Sequence, residues 1–183
     1  MRTQHHSRNT DALGRYYTSA AVSSLLIDLL PAAKPRAVLD LGSGRGALSL
    51  AASGRWSRSG LVTVDVDAQA IDLGERLRRK GFQGRHAHFL QDALAPDLPR
   101  ALHASWAGMP EVAVCNPPFI MNQWQDSYGA ILEDAGFSGC LPAIASTDAA
   151  VLFLAQNLRL IAPNGCVGII VPDSLVSAEK YTR

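Results

Sequence analysis

The pattern of apolar and polar positions along the chain predicts short strands that alternate with helices. Mainly apolar runs typical of buried strands occupy residues 37–41, 61–66, 86–90, 112–115 and 166–171. Helices are predicted for residues 19–30, 47–53, 68–80 and 149–161. Strands that alternate with helices form βαβ units. The predicted fold class is therefore α/β, with a mostly parallel sheet and helices on both faces.

Local signals mark the ends of some elements. Thr18 or Ser19 can cap the first helix, Pro31 ends it, and Asp67 is placed to cap the third helix. Residues 120–147 show no clear periodicity, which in a compact domain is typical of a functional loop or lid. We expect residues 1–13 to form a flexible N-terminus and residues 14–183 to form one domain.

Composition narrows the class of protein. The chain has 183 residues, 48% of them hydrophobic, and a formal net charge of +1. These values suit one compact domain and exclude a disordered tail, a disulfide scaffold and a coiled coil. The near-zero charge argues against binding nucleic acid by bulk electrostatics alone. The basic cluster near residue 80 is predicted to be a solvated helix end, formed by Arg76, Arg78, Arg79 and Lys80.

Cysteine usage and the lengths of the apolar runs bear on the cellular compartment. Cys115, Cys140 and Cys166 lie far apart and form no CxxC pair, so we predict reduced thiols, no metal site and a cytoplasmic protein. No apolar run approaches the roughly 20 residues that a membrane-spanning helix needs, so no membrane partner is expected.

A glycine-rich turn follows the first predicted strand. The segment Asp40-Leu41-Gly42-Ser43-Gly44-Arg45-Gly46 stands between a strand and a helix, where glycines let the backbone approach a ligand closely. Its spacing is Gly-x-Gly-x-Gly, which differs from the usual dinucleotide-binding fingerprint. Asp65 ends the second strand, near the spacing from this turn that is expected of a carboxylate that binds ribose hydroxyls.

The sequence Asn116-Pro117-Pro118-Phe119 comes directly after the fourth predicted strand. Two prolines make a rigid turn and remove backbone donors, which leaves the Pro117 carbonyl and the Asn116 side-chain oxygen as acceptors. An exocyclic amine on a flat ring could donate to both, and its nitrogen lone pair would then be directed towards an incoming methyl group. Phe119 would stack on the ring, as aromatic side chains do in base flipping. A plain proline-rich turn is the alternative interpretation.

Together these motifs resemble motifs I and IV of class I S-adenosylmethionine-dependent methyltransferases that modify amino groups. The resemblance implies a Rossmann-like class I methyltransferase fold, S-adenosylmethionine as cofactor, and catalytic roles for Asn116, Pro117, Pro118 and Phe119. Within it, the Asp40 carboxylate would face the cofactor ammonium, and Asp65 and Asp92 would bind ribose and adenine. The full set of implied cofactor contacts in this part of the chain is Asp40, Gly42, Ser43, Gly44, Asp65, Val66, Asp92, Ala93 and Asn116. Asp92 could instead cap a turn.

The segment Gly14-Arg15-Tyr16-Tyr17-Thr18-Ser19 resembles motif X of gamma-class adenine-N6 DNA methyltransferases, although Ser19 stands where proline is usual. In that family the segment closes over the methionine part of the cofactor, so the resemblance implies cofactor contacts from Tyr17 and Thr18. Residues 158–175 resemble the helix, turn and strand that follow motif IV in type I and type IIG modification subunits. The resemblance thus implies methylation of the N6 amine of adenine in DNA, in restriction-modification or phage defence.

The sequence leaves other methyl acceptors possible and predicts that part of the fold is missing. Release-factor glutamine methyltransferases and ribosomal RNA guanine-N2 methyltransferases share the Asn-Pro-Pro-Phe motif, and a non-catalytic cofactor-binding subunit is a third hypothesis. The class I fold has seven strands and the sequence predicts five, so we expect a domain truncated after strand five. DNA would then be bound through a missing recognition domain or a partner subunit, and the exposed edge of strand five could support self-association.

Overall fold

A computed structural model describes residues 17–68, 72–137 and 146–173. The strands in these ranges are β1 (Ala37–Leu41), β2 (Gly60–Asp65), β3 (His86–Leu90), β4 (Val112–Cys115), β5 (Met121–Gln123), β6 (Ser146–Asp148) and β7 (Cys166–Ile169). The helices are α1 (Ala20–Leu29), α2 (Ala47–Arg55), α3 (Leu73–Arg79), α4 (Leu98–Ser105), α5 (Asp126–Asp134) and α6 (Ala149–Leu160). All five strands and all four helices predicted from the sequence are present.

Five strands form one parallel sheet in the order β3-β2-β1-β4-β7. In its central strand, Leu39 is in register with Val62 of β2 and with Ala113 of β4. The strand order reverses beside β1, because β2 and β3 continue to one side and β4 and β7 to the other. The loops that follow β1 and β4 therefore separate at this point and leave a crevice at the carboxyl ends of the strands.

Helices cover both faces of the sheet, which explains why its strands are almost continuously apolar. Successive residues of β1 point to opposite faces. Leu39 belongs to the hydrophobic cluster that contains buried residues of α4, α5 and α6. Val38 belongs to the cluster that contains buried residues of α1, α2 and α3. The predicted α/β architecture is confirmed.

The first helix begins and ends close to its predicted bounds. Ser19 precedes α1, and its side-chain oxygen accepts a hydrogen bond from the backbone N–H of Val22 at 3.3 Å. The helix ends at Leu29, shortly before Pro31. Ser19 thus supplies the cap that satisfies one of the free N–H groups at the helix start.

Two other helices differ from the prediction. α3 begins at Leu73, and residues 69–71 between Asp67 and this helix lie outside the described part, so the cap at Asp67 stays a prediction. The backbone N–H of Asp67 donates to the Asp65 carboxylate at 2.8 Å and closes a turn after β2. α4 was not predicted at all, because its two buried leucines are a single helical turn apart and give too short a pattern to recognise.

The long stretch between β4 and α6 is more ordered than predicted. β5 and β6 pair antiparallel, with Met121 opposite Asp148, and α5 lies between them along the chain. α5 contacts α6 through residues that include the fully buried Ile131 and Leu132. The prediction of a loop without periodicity for residues 120–147 was therefore wrong at these three elements, whose apolar patterns are too short to stand out. Residues 138–145 lie outside the described part.

The sequence also led to predictions about membrane spans, metal sites, thiols and the edge of the sheet. Within the described ranges, no helix is long and apolar enough to cross a membrane. Nor does any group of three or more His, Cys, Asp or Glu side chains there have an arrangement that could hold a metal ion. Cys115 and Cys166 are free thiols, while Cys140, the predicted flexible residues 1–13 and the motif residues 14–16 lie outside the described residues. β7 forms one end of the parallel sheet in the described part of the chain.

Candidate active site

A cavity of about 880 Å³ lies at the crevice at the carboxyl ends of the strands. Ligands of open α/β sheets bind at such a reversal of strand order. Every cofactor-binding residue implied by the family resemblance lines this cavity, namely Tyr17, Thr18, Asp40, Gly42, Ser43, Gly44, Asp65, Val66, Asp92, Ala93 and Asn116. Residues that are up to about a hundred positions apart in the sequence are thus brought to one site by the fold.

The glycine turn after β1 has a backbone conformation that only glycine adopts readily. Gly42, Gly44 and Gly46 have φ angles of 70°, 49° and 75°. A Cβ atom on Gly46 would lie 2.3 Å from a methyl carbon of Leu73, so α3 packs directly on this turn. A side chain at either end of the turn would therefore displace the loop or the helix. The N–H groups of Gly42 and Ser43 donate to the Val64 carbonyl at 2.8 Å and 3.1 Å, which ties the turn to the end of β2.

Asp65 connects the end of β2 to the glycine turn. Its carboxylate accepts hydrogen bonds from the N–H of Gly44 at 2.6 Å and from the N–H of Asp67 at 2.8 Å. These bonds hold the side chain in one orientation at the cavity wall. The sequence predicted a ligand-binding carboxylate here, and the structure adds that the same carboxylate also fixes the glycine turn.

Asp40 is the most perturbed acid of the site. The residue is 1% exposed, Ser49 Oγ donates to its Oδ2 at 2.6 Å, and its Oδ1 has no hydrogen-bond partner among the described residues. Burial, together with the nearby Asp65, raises the pKa of Asp40 to about 7, although the Ser49 hydrogen bond acts in the opposite direction. A buried acid that lines a cavity and has an oxygen without a hydrogen-bond partner in the described structure favours a cationic ligand group.

The loop after β3 forms another part of the cavity wall. Asp92 is exposed, and its Oδ1 accepts a hydrogen bond from the N–H of Leu94 at 2.9 Å, so it both caps a turn and lines the cavity. Ala93 is buried, and its carbonyl accepts a hydrogen bond from Nε2 of the fully buried Gln156 at 2.8 Å. Gln156 lies on α6, so this helix holds the loop in place.

Two aromatic residues of the cavity wall were not predicted. Phe153 of α6 lines the cavity, and its ring lies 3.3 Å from the position that a Cβ on Gly42 would take. Tyr128 of α5 also lines the cavity, is 6% exposed, and has its pKa raised by burial and by the charge of Asp92. Neither residue belongs to a recognisable motif. Only the packing of α5 and α6 brings them to the site.

The Asn116-Pro117-Pro118-Phe119 segment lies beside the residues expected to hold the cofactor. Asn116 and Pro118 line the cavity, and Nδ2 of Asn116 donates to Oγ1 of Thr18 at 2.9 Å. Pro117 and Phe119 are not among the described residues that line the cavity. Stacking of Phe119 on an acceptor ring therefore stays a prediction.

Basic side chains reach the rim of the same cavity. Arg45, Arg76 and Lys80 line it, and the Arg76 guanidinium donates to the Arg45 carbonyl at 2.6 Å. The Arg45 guanidinium lies 4.6 Å from the centre of the Tyr17 ring, which is a cation–π contact. The basic cluster at the end of α3 was predicted to be only a solvated face. Two of its members, Arg76 and Lys80, line the site instead.

The sequence profile of the methyltransferase small domain family matches residues 20–136, which is more than half of the chain. The chain belongs to this family. The cofactor that the family implies is S-adenosylmethionine, and the cavity of this methyltransferase domain fits it. Its cationic methionine part suits a cavity lined by the acid Asp40, and Phe153 and Tyr128 add aromatic side chains to the lining.

Comparison with individual proteins supports the fold. The domain is 30% identical to the ribosomal protein L11 methyltransferase of Rhodopseudomonas palustris (strain BisB5) over 104 residues, which are 57% of this chain and 31% of that protein. TrmN from Thermus thermophilus has a TM-score of 0.53 at 21% identity, over 85% of this chain and 39% of its own. Precorrin-6y C5,15-methyltransferase from Geobacter metallireducens GS-15 has a TM-score of 0.52 at 14% identity, over 88% of this chain and 69% of its own.

These relatives differ in what they show. The likeness to the two solved structures, at such low identity, shows the shared Rossmann-like methyltransferase fold alone. The chain spans less than half the length of the L11 methyltransferase and of TrmN. The family, the fold and the cofactor therefore follow from the comparisons, while the acceptor of the methyl group does not.

Proposed function

We propose that this methyltransferase domain is the cofactor-binding and catalytic core of an adenine-N6 DNA methyltransferase. The observation that carries the proposal is the position of Asn116 at the cofactor cavity, in hydrogen-bond contact with Thr18. The first of these residues belongs to the amino-group motif and the second to the segment that resembles motif X of the gamma class. The meeting of the two motifs at one cavity supports a flat ring with an exocyclic amine as the acceptor.

The chemistry assigned to the chain is binding and orientation. When bound, S-adenosylmethionine would supply the methyl group: its bond to the sulfonium sulfur breaks as the bond to the amine nitrogen forms, S-adenosylhomocysteine leaves, and the amine loses one proton to solvent. Asn116 Oδ1 and the Pro117 carbonyl accept hydrogen bonds from the amine of the extruded base and turn its lone pair towards that methyl group. Asp40 would balance the positive charge of the cofactor, and the glycine turn would form the adjoining wall of its site. Positioning and electrostatics supply the rate, with no covalent or metal step assigned to the chain.

Partners follow from the same proposal. DNA is held through a recognition domain or partner subunit beyond this chain, since its net charge of only +1 leaves little bulk attraction for phosphates. Arg45, Arg76 and Lys80 at the cavity rim add local positive charge. We place the protein in the cytoplasm, in restriction-modification or phage defence. The edge of β7 is proposed as a surface for self-association.

A second acceptor class has one observation in its favour. The curated relative with 30% identity is a ribosomal protein L11 methyltransferase, so a protein acceptor competes with DNA. A glutamine amide or a guanine-N2 amine could donate to the same two oxygens. A non-catalytic subunit that only binds the cofactor is the third candidate.

The acceptor is tested by transfer of a labelled methyl group from S-adenosylmethionine. The protein, purified from its own host, is incubated separately with duplex DNA, ribosomal RNA, ribosomal protein L11 and release factor. We expect label in DNA, recovered as N6-methyladenine. Asn116→Ala is expected to lower the rate at least about 100-fold, because it removes a positioned polar group that touches the reacting amine.

The matched control is Gln83→Ala, which removes an exposed side-chain amide just before β3, at the opposite edge of the sheet. It is expected to leave the rate unchanged. Label in RNA or protein but not in DNA would reject the DNA acceptor. Binding of S-adenosylmethionine by calorimetry without transfer to any acceptor would favour the non-catalytic subunit.

A further inference from the structure

The N-terminal end of the described chain lines the cavity and contacts two different loops. Tyr17 lies against the Arg45 guanidinium of the glycine turn, at 4.6 Å from ring centre to guanidinium carbon. Thr18 accepts a hydrogen bond from Asn116 of the loop after β4, at 2.9 Å and across 98 positions of sequence. Ser19, the next residue, caps α1, so the position of Thr18 is fixed from the helix side as well.

We infer that Thr18 is a positioning residue for Asn116. The inference rests on the proposed function, in which Asn116 holds the acceptor amine. It assigns to Thr18 a task that differs from the cofactor contact implied by the family resemblance. The Thr18 hydroxyl holds the plane of the Asn116 amide, so that the amide is already oriented when the acceptor arrives.

Hydrogen-bond chemistry gives the reason. An asparagine amide carries two donors on its nitrogen and an acceptor oxygen, and rotation of the amide exchanges the two ends. The acceptor amine is a donor, so it needs the oxygen and would be repelled by the nitrogen. Thr18 Oγ1 takes the Nδ2 end in hydrogen-bond contact, which places Oδ1 on the other side of the amide. A threonine hydroxyl is well suited to this task, since its β-branched side chain has few rotamers.

The contact also connects cofactor binding with acceptor binding. Tyr17, Thr18 and Asn116 all line the cavity that the cofactor would fill. The hydrogen bond between Thr18 and Asn116 thus joins the residues expected to contact the cofactor to the residue expected to hold the acceptor amine.

The test compares Thr18→Val, which keeps the shape and removes the hydroxyl, with Thr18→Ser, which keeps the hydroxyl. We expect Thr18→Val to lower kcat about 3- to 10-fold, the fold-change that matches the loss of one neutral hydrogen bond. Thr18→Ser is expected to restore most of the rate. In the Asn116→Ala background, Thr18→Val should cause no further loss of kcat, because the group that it positions is gone.

A change in the Kd of S-adenosylmethionine reports the direct cofactor contact of Thr18 and is measured separately by calorimetry. An equal fall in kcat with and without Asn116, or no fall in kcat at all, would overturn the positioning role.

Nuclear magnetic resonance provides a readout that needs no activity. In protein labelled with ¹⁵N-asparagine, the side-chain amide signal of Asn116 is the one that disappears in Asn116→Ala. Thr18→Val should shift this signal and Thr18→Ser should leave it near its original position. An unshifted signal in Thr18→Val would reject the inference even if methyl transfer to DNA is found. Absence of transfer to every acceptor, with the signal shifted, would instead reject the proposed function.

Discussion

Asp40 has a carboxyl group that the folded protein buries without full hydrogen-bond compensation. Its Oδ1 lacks a partner among the described residues, and burial raises its pKa to about 7. The nearby Asp65 adds to this rise, so two acids stand at one cavity. Such an arrangement costs folding free energy until a cation arrives. In the role proposed for Asp40, the ammonium group of the cofactor would supply the missing compensation.

We expect Asp40 to make the binding of S-adenosylmethionine depend on pH. Because only the ionised form of Asp40 attracts an ammonium group, we expect the Kd of S-adenosylmethionine to rise as the pH falls through about 7, by at most about tenfold per pH unit. Calorimetric titration between about pH 6 and pH 8 measures this dependence. Asp40→Asn should bind weakly at every pH. An equally steep dependence in Asp40→Asn would assign the titration to another group.

At the level of elements, α6 holds one wall of the site through a chain of polar contacts. Asp134 of α5 accepts from Arg159 at 2.6 Å, Arg159 donates to Gln156 at 3.2 Å, and Gln156 donates to the carbonyl of Ala93. Asp148 caps the helix by accepting from the N–H of Ala150 at 3.0 Å. A helix anchored at its start and along one side keeps the loop after β3 in place.

Gln156→Leu tests this arrangement. The variant keeps a side chain of similar size and removes the donor to the Ala93 carbonyl, so we expect a loss of about 1–3 kcal/mol in the free energy of unfolding. The Kd of S-adenosylmethionine should also rise, since the loop with Asp92 and Ala93 loses its support. Chemical denaturation and calorimetry measure the two effects. Leu158→Ala, an exposed position on the same helix, is the control. A stability loss with an unchanged Kd would show that the Gln156 contact does not support cofactor binding.

For the whole molecule, two histidines between sheet and helix link stability to pH. Thr63 of β2 lies between His86 and His88 of β3, with Oγ1 at 3.0 Å and 2.9 Å from their ring nitrogens. Burial, the neighbouring His88 and Arg78 of α3 lower the pKa of His86 to about 4. Burial also lowers the pKa of His88, although the Asp65 charge acts against this.

The sign of the effect follows from proton binding. Between its ordinary pKa of 6.5 and about 4, His86 binds a proton in the unfolded chain but not in the folded protein. Stability from this group is therefore complete above pH 6.5 and is lost as the pH falls towards 4. We expect His86→Gln to lose less stability than the original protein between these pH values, as measured by chemical denaturation.

Asp40 titrates in the same pH range with the opposite effect on stability. Because its pKa is raised, the folded protein binds a proton that the unfolded chain does not, so this group adds stability as the pH falls. The contribution of Asp40 is the same in the original protein and in His86→Gln, so it cancels when their stabilities are compared. Identical pH profiles for the two proteins would exclude His86 as the source.

Local sequence patterns were sufficient to predict much of the fold and to bring the residues from Asp40 to Ala93 to one cavity. The strands could be predicted because each is a short apolar run next to a turn signal, as β1 is beside Gly42. The residues predicted to hold the cofactor, from Asp40 to Ala93, could be brought to one place because each lies at or just after the carboxyl end of a strand, and these ends meet at one edge of a parallel sheet. The resemblance to amino-group methyltransferases then supplied their roles.

Other parts could not be predicted, since their signal is too short or depends on distant residues. α4 and α5 each present one turn of apolar pattern, and the β5–β6 pair joins segments more than 20 residues apart. Arg76 and Lys80 look like an ordinary basic helix end until the position of α3 shows that they border the cavity. The structure corrected these predictions because burial and pairing are properties of the packed chain.

The sequence by itself determined the α/β class, the parallel strands and the identity of the glycine turn and the Asn-Pro-Pro-Phe loop. These features are local, and hydrophobic periodicity or a run of neighbouring residues encodes each of them. Only the tertiary structure decided that Thr18 meets Asn116, that Gln156 supports Ala93 and that Phe153 faces Gly42. Each of these contacts joins residues 63 or more positions apart, and the closing of the sheet and its helices around one cavity brings them together.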